Sequence, residues 1–225
     1  AQSSADFEKN NMVLGRYFSP DIKNEIEETG LNFSEYIPKN LNVAVLFTDI
    51  VGFTKLSEKM EPNDVLELLS EYQTIMVECI FEFNGTVDKF IGDAVMANFG
   101  TPKSYGNDAQ NAFDCAKKMK SMLHEWNKNR IDNRQKIIEH RIGIHYGECI
   151  VGNVGGEKRV EYTVLGDTVN VASRLCDLSK VFNNDLLISK ALYDQIEIVE
   201  EFEEFNSHPI KGRKEKIDLI RVFLD

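Results

Sequence analysis

The chain is predicted to be an α+β protein with a ferredoxin-like βαββαβ core and an additional C-terminal helix and strands. Three observations predict it. A ten-residue stretch, Leu41 to Ile50, is apolar or β-branched on both faces, as a central strand must be. Two long segments place apolar residues every third or fourth position, the stripe of a core-facing helix. Between those helices, Thr86 to Phe99 reads as two strands folded at Gly92-Asp93.

Taken in order, Met12 to Thr29 reads as a short helical lead-in with Ser19-Pro20 at a helix start. Leu31 to Asn40 reads as irregular, with a breaker at Pro38, and the first strand follows. The first long helix is Val65 to Phe83, with Leu68, Tyr72, Met76 and Ile80 on its stripe, Asn63 or Asp64 as its cap and Gly85 past its end. The hairpin comes next, then a second long helix from Asp108 to Asn127. Arg141 to Val151 reads as a strand pair or one bent strand punctuated by Gly143 and Gly147. Tyr162 to Leu165 is a short strand, Thr168 to Phe182 a helix capped by Asp167 or Thr168, and Leu186 to Ser189 and Ile217 to Leu224 are further strands. The most linker-like stretch, Asn127 to Gln135, is too short to divide two domains.

Composition narrows the function. At 225 residues the chain suits one large domain, or one with short extensions, and supports a core without disulfides. Its net charge of −11 argues against nucleic-acid polymers and anionic membrane surfaces, though not against a small polyanion. Cys79, Cys115, Cys149 and Cys176 are scattered without a C-x-x-C pair and read as reduced thiols of a cytosolic protein. No apolar run of about 18 residues is present to span a membrane. An anchor elsewhere in a longer parent chain remains compatible with this reading.

Six places carry candidate chemistry. Asp49 ends the first strand within F-T-D-I-V-G-F-T, either as a ligand for a hard divalent cation or as a cap on the turn that follows. Asp93 sits at the hairpin tip, either as a second ligand or as ordinary turn chemistry. Strands lie about 4.8 Å apart, so neighbouring strands can bring both carboxylates to one metal pair. Lys89 shares strand parity with Val87 and Ile91, where a lysine either snorkels at an edge or needs a partner. Gly147 to Gly156, followed by Lys158 and Arg159, is either a phosphate-admitting turn or a plain glycine-rich hairpin. Asn170 and Arg174, four apart, share one helical face that either holds a ribose and a phosphate or is merely solvated. Lys211-Gly212-Arg213-Lys214 is a basic turn that either neutralises a terminal phosphate or closes a hairpin.

Together and in this order, F-T-D-I-V-G-F-T, K-F-I-G-D and Y-T-V-L-G-D-T-V-N-V-A-S-R resemble the catalytic domain of class III nucleotidyl cyclases, across roughly Asn42 to Leu224. Leu14 to Pro20 also resembles the segment preceding many such domains, which usually connects to an upstream regulatory module. The chain then divides into a lead-in, residues 1–40, and a catalytic domain, residues 41–225.

The resemblance implies an adenylate cyclase that converts ATP to 3′,5′-cyclic AMP and pyrophosphate by two-metal-assisted attack of the ribose 3′-hydroxyl on the α-phosphate. It implies Asp49, Ile50 and Asp93 as the site of two Mg²⁺ or Mn²⁺ ions. Lys89 matches the purine-selecting lysine, where guanylate cyclases usually carry Glu. Thr163 takes the second purine-selecting position, which is Asp in many members; Thr there is typical of the branch that includes bicarbonate-responsive soluble cyclases. Asn170 matches the ribose-orienting asparagine and Arg174 the arginine that stabilises the transition state. Lys211, or Arg213 in its place, matches the contact to the terminal phosphates. A hydroxyl donates or accepts where a carboxylate only accepts, so purine discrimination is expected to lean on Lys89. The family's sites lie between two antiparallel domains, which implies a homodimer with two shared sites. The alternatives are a guanylate cyclase, which Lys89 disfavours, and a catalytically silent nucleotide-sensing or dimerisation domain, which the intact residue set disfavours.

Overall fold

The computed structural model describes residues 4–29, 38–156 and 158–224. Its centre is strand β1 (Lys39–Ile50), whose Val43 to Phe47 run is buried on both faces. Ala44, Leu46 and Ile50 face one layer of helices, while Val43, Val45 and Phe47 face the other. This two-sided burial is why the strand reads as continuously apolar instead of alternating.

The first layer holds α4 (Pro62–Glu82) and α5 (Asp108–Asp132), which follow the short α3 (Phe53–Ser57). Leu68, Tyr72, Met76 and Ile80 of α4 meet Ala112, Phe113, Ala116 and Met119 of α5 over Ile142 and Ile144. Neither Asn63 nor Asp64 caps α4. The cap position is Glu61, because Pro62 takes the first turn, where no N–H is required. At the other end Asn84, with φ 59°, takes the left-handed position expected of a terminating residue. Gly85 follows it and bonds back to Ile80; a Cβ there would stand 2.6 Å from the Phe99 ring. The linker-like stretch is helical as far as Asp132, and Asn127 fixes its return by bonding both the N–H and the carbonyl of Ile138.

The hairpin is β2 (Thr86–Ile91) and β3 (Ala94–Phe99), turning at Gly92 with φ 61°. The bent-strand alternative holds for β4 (His140–Gly156), which pairs with β1, with β5 (Arg159–Leu165) and, in parallel, with β6 (Leu186–Ser189). The sheet runs β2-β3-β1-β4-β6-β8-β7, with β7 (Phe202–His208) and β8 (Ile217–Val222) at its far edge and β5 on β4 alone. The first four strands give the ferredoxin-like order. The strand β7 and the short helices α3 and α7 (Lys190–Tyr193) are not read from sequence. In β7 the apolar Phe202 and Phe205 stand three apart, off the period of two, and a register shift follows between Phe205 and His208.

The second layer is α6 (Asp167–Leu178) with α2 (Pro20–Thr29). Gly143 explains how closely α6 lies on β4: a Cβ there would meet the Cys176 amide at 2.2 Å. Neither Asp167 nor Thr168 caps α6. Gly166 holds the cap position, and the Thr168 hydroxyl donates to the Glu148 carbonyl. The lead-in is two helices, α1 (Ser4–Gly15) and α2, with the break at Ser19-Pro20. Most of the irregular stretch, 31–37, lies outside the described residues; Lys39 and Asn40 belong to β1. Among the described residues no helix is long and apolar enough to cross a membrane.

Candidate active site

The end of β1 and the tip of the β2–β3 hairpin meet. Asp93 Oδ2 accepts the Ile50 N–H at 2.9 Å, so Asp93 is tied to the residue after Asp49. Asp49 lies opposite Arg141 in the β1–β4 register. Arg141 grips it with two parallel bonds, Nε to Oδ1 at 2.8 Å and Nη2 to Oδ2 at 2.7 Å. Burial pushes the Asp49 carboxyl above its usual value, Arg141 opposes that, and Asp93 and Asp177 add to the rise. Bidentate pairing occupies only part of a carboxylate's accepting capacity, which is about four lone-pair sites. Two aspartates and a backbone carbonyl form a hard oxygen set, which fits Mg²⁺ or Mn²⁺ completed by substrate phosphates and water. Among the described residues no cluster of three or more His, Cys, Asp or Glu offers an all-protein cage.

A second group lies where β2 approaches β5. The parity expected of Lys89 fails because β2 carries a bulge between Val87 and Lys89. Asp88 is the bulged residue, and its carboxylate turns inward with no exposed surface. It accepts the Thr163 hydroxyl, 2.8 Å to Oδ1 and 3.0 Å to Oδ2, and the Val164 N–H at 3.1 Å. Lys89 Nζ stands 3.6 Å from Asp88 and 3.2 Å from Glu161. Burial raises the Asp88 carboxyl, while the bonds from Thr163 and Val164 lower it. Lys89 therefore has partners and is not a snorkelling edge residue.

A third group surrounds α6. Asn170 is exposed and Arg174 half-buried on the face away from Ala172 and Cys176, which pack. Arg174, Asp177, Lys211 and Gly212 line a cleft of about 490 Å³. Gly212, with φ 77°, brings the backbone so close that a Cβ would stand 3.1 Å from an Arg174 nitrogen. Arg213 is drawn elsewhere, to Asp167 at 3.1 Å and Glu215 at 3.2 Å. The glycine-rich stretch is the hairpin of its two readings. Gly147 admits Thr168, and Gly155, with φ 135°, lets β4 turn into β5.

Each group is assembled within the chain, and the first and third adjoin: the Cys176 thiol of α6 donates to the Arg141 carbonyl at 3.6 Å, and Asp177 raises the Asp49 carboxyl. Arg141, Asp88 and Glu161 were missed by sequence reading. Arg141 becomes visible only with the β1–β4 register, and Asp88 only with the bulge.

A sheet of ferredoxin-like order, with a carboxylate pair where β1 meets the hairpin tip and a cleft beside α6 lined by Arg174 and Lys211, fits a domain that handles a polyphosphate. Residues 35–222 match the adenylate and guanylate cyclase catalytic domain, and the chain belongs to that family. It is 32% identical over 217 residues to adenylate cyclase 1 of Rhizobium meliloti, covering 88% of this chain and 33% of that protein. It thus spans about a third of that relative's length. Among solved structures, it resembles the adenylyl cyclase CyaB of P. aeruginosa at 34% identity and TM-score 0.76, covering 84% of this chain and 96% of that one. The guanylyl cyclase Cya2 is similar at 30% identity and TM-score 0.73, covering 82% and 93% respectively.

Proposed function

We propose that the domain is an adenylate cyclase acting on ATP, assembled as a homodimer with two shared sites, in the cytosol and within a longer regulated protein. The observation that carries the choice of purine is the meeting of Lys89 and Thr163 at Asp88, on strands far apart in sequence. A lysine donor reads an adenine ring nitrogen and is mismatched to the N–H of guanine at that position. Exposed Phe90, Ile91, Ile150, Val154, Val160 and Leu165 on β2, β4 and β5 support the homodimer, since a large apolar surface marks an interface. The four cysteines, all buried and free, fit a reducing compartment.

Asp49 and Asp93, with the Ile50 carbonyl, are the residues to hold two divalent cations. When bound, these ions acidify the ribose 3′-hydroxyl and neutralise the triphosphate. In the assembled site Asn170 orients the ribose. Arg174 offers its fixed donor fork to charge building on the α-phosphoryl oxygens. Lys211, beside Arg174, meets the terminal phosphates. The proton of the 3′-hydroxyl goes to Asp49 or to solvent.

The test is product formation by purified protein with Mn²⁺ and either ATP or GTP. Cyclic AMP as the main product is expected; predominant cyclic GTP-derived product overturns the reading of Lys89. Asp49→Ala loses on the order of 10³-fold or more in rate, because several kcal/mol of transition-state charge stabilisation go with the metal site. Arg174→Ala loses about 10²–10³-fold. Mixing the two inactive variants rebuilds one intact site per heterodimer. A mixture that dimerises and stays inactive overturns the shared-site reading.

A further inference from the structure

The bulge at Asp88 has a chemical consequence for Thr163. A threonine hydroxyl carries one proton and two lone pairs. Here that proton lies between the two oxygens of a carboxylate with no exposed surface. Every described polar contact of Asp88 comes from a donor: Thr163, the Val164 N–H, Asn98 Nδ2 at 3.5 Å and Lys89 Nζ. The Val164 donor is backbone and cannot rotate away. Asp88 is therefore an acceptor held in place from several sides, and it takes the Thr163 proton in preference to the more distant Val164 carbonyl at 3.4 Å.

We infer that Asp88 is a positioning residue for purine selection: by taking the Thr163 proton it leaves that hydroxyl only lone pairs to present to a base, and it holds Lys89 beside it. The exocyclic amino group of adenine donates to such an oxygen. The 6-oxo group of guanine meets it lone pair to lone pair. The threonine thus acts as a one-way acceptor, as a carboxylate would, and discrimination does not lean on Lys89 alone. This rests on the proposal that Lys89 and Thr163 read the purine.

The isosteric Asp88→Asn variant tests it. Its carboxamide has one oxygen for the two closest donors, the Thr163 hydroxyl and the Val164 N–H. The fixed Val164 N–H keeps that oxygen, so the NH₂ group faces Thr163 and turns the hydroxyl proton outward, where it suits guanine. The ATP:GTP ratio of kcat/KM is expected to fall about tenfold, the weight of one hydrogen bond of ordinary strength. The double variant Asp88→Ala/Thr163→Asp, which restores an acceptor-only group, is expected to recover the ratio. The ratio of Kd values for the α,β-methylene analogues of ATP and GTP is measured beside turnover and is expected to move likewise. An unchanged ratio in Asp88→Asn overturns the inference. So does a parallel loss with both nucleotides that the double variant does not recover, which is a purely structural role. Wild type that forms no cyclic nucleotide overturns the proposed activity, while a preference for the ATP analogue that Asp88→Asn abolishes still upholds the inference.

Discussion

Asp49 and Asp88 are two buried carboxylates on strands of one sheet, and the fold holds them by opposite means. Asp49 sits against a guanidinium and keeps 15% of its side-chain surface exposed. Asp88 is wholly covered, and most of its contacts come from neutral groups: a hydroxyl, a backbone N–H and an amide. A carboxylate paired with a full positive charge stays ionised and, where part of it is open, remains available to a cation. One enclosed by short, oriented donors is an internal fixture that fixes the rotamers of others. The difference separates a group left partly open from a group closed in by its neighbours, although both are aspartates next to a strand irregularity or a strand end.

The largest effect expected within the chain itself comes from breaking the charge pair. A double-mutant cycle of Asp49→Ala and Arg141→Met, read as unfolding free energy, should give a coupling of about 2 kcal/mol, as hydrogen bonds between charged groups do. A coupling under about 0.5 kcal/mol would put Asp49 among weak surface pairs and remove the contrast with Asp88.

The same distinction between engaged and available charge sorts the basic turn. Arg213 is bound by Asp167 and Glu215, while among the described residues no ion pair holds Lys211, which lines the cleft with Arg174. Lys211→Ala is expected to lower kcat/KM for ATP about tenfold, the worth of one charge-assisted contact of about 1.4 kcal/mol. Arg213→Ala should change it less than about threefold, within the small weight of an exposed pair. Reversal of that order, in steady-state kinetics, would assign the phosphate contact to Arg213.

Much of this was legible in the sequence, and the parts that were not share a cause. The strand β1, helices α4 and α5 and the hairpin at Gly92 follow from apolar period and turn chemistry, which are local. The pairing of Asp93 with the end of β1 was expected from strand spacing alone. Asp88 was hidden because alternation assigns it to the face opposite Lys89, and one extra residue in β2 cancels that rule. Arg141 was hidden because nothing local shows that it will stand across from Asp49. The caps of α4 and α6 were misplaced because both helices start earlier than read, α4 at Pro62 behind Glu61 and α6 at Asp167 behind Gly166. Glycines 143 and 147 looked like strand punctuation and are instead the surface on which α6 rests.

Acid provides the smallest and most selective probe, because the two carboxylates and the histidines of β4 respond to it with opposite sign. Burial raises the folded-state pKa of Asp49 and Asp88, so neither loses folding stability as pH falls toward 5.5. His145, whose Nδ1 lies 2.7 Å from Ser189 Oγ, is lowered to about 4 by burial and by nearby Arg213, against the pull of Asp167. Wholly buried His140 is lowered further by burial and by Lys120. Below the ordinary histidine value of about 6.5 the unfolded chain takes up a proton that folded His145 refuses. Stability from this group is therefore complete above that value and declines as pH falls. One unit below it, the loss from His145 is about 1 kcal/mol after allowance for its partial exposure. His145→Gln keeps a partner for Ser189 and removes the titration. It is expected to narrow the drop in unfolding free energy between pH 7.5 and 5.5 by that amount, measured by urea denaturation. A variant whose drop matches wild type would assign the acid response to His140 or to a group outside β4.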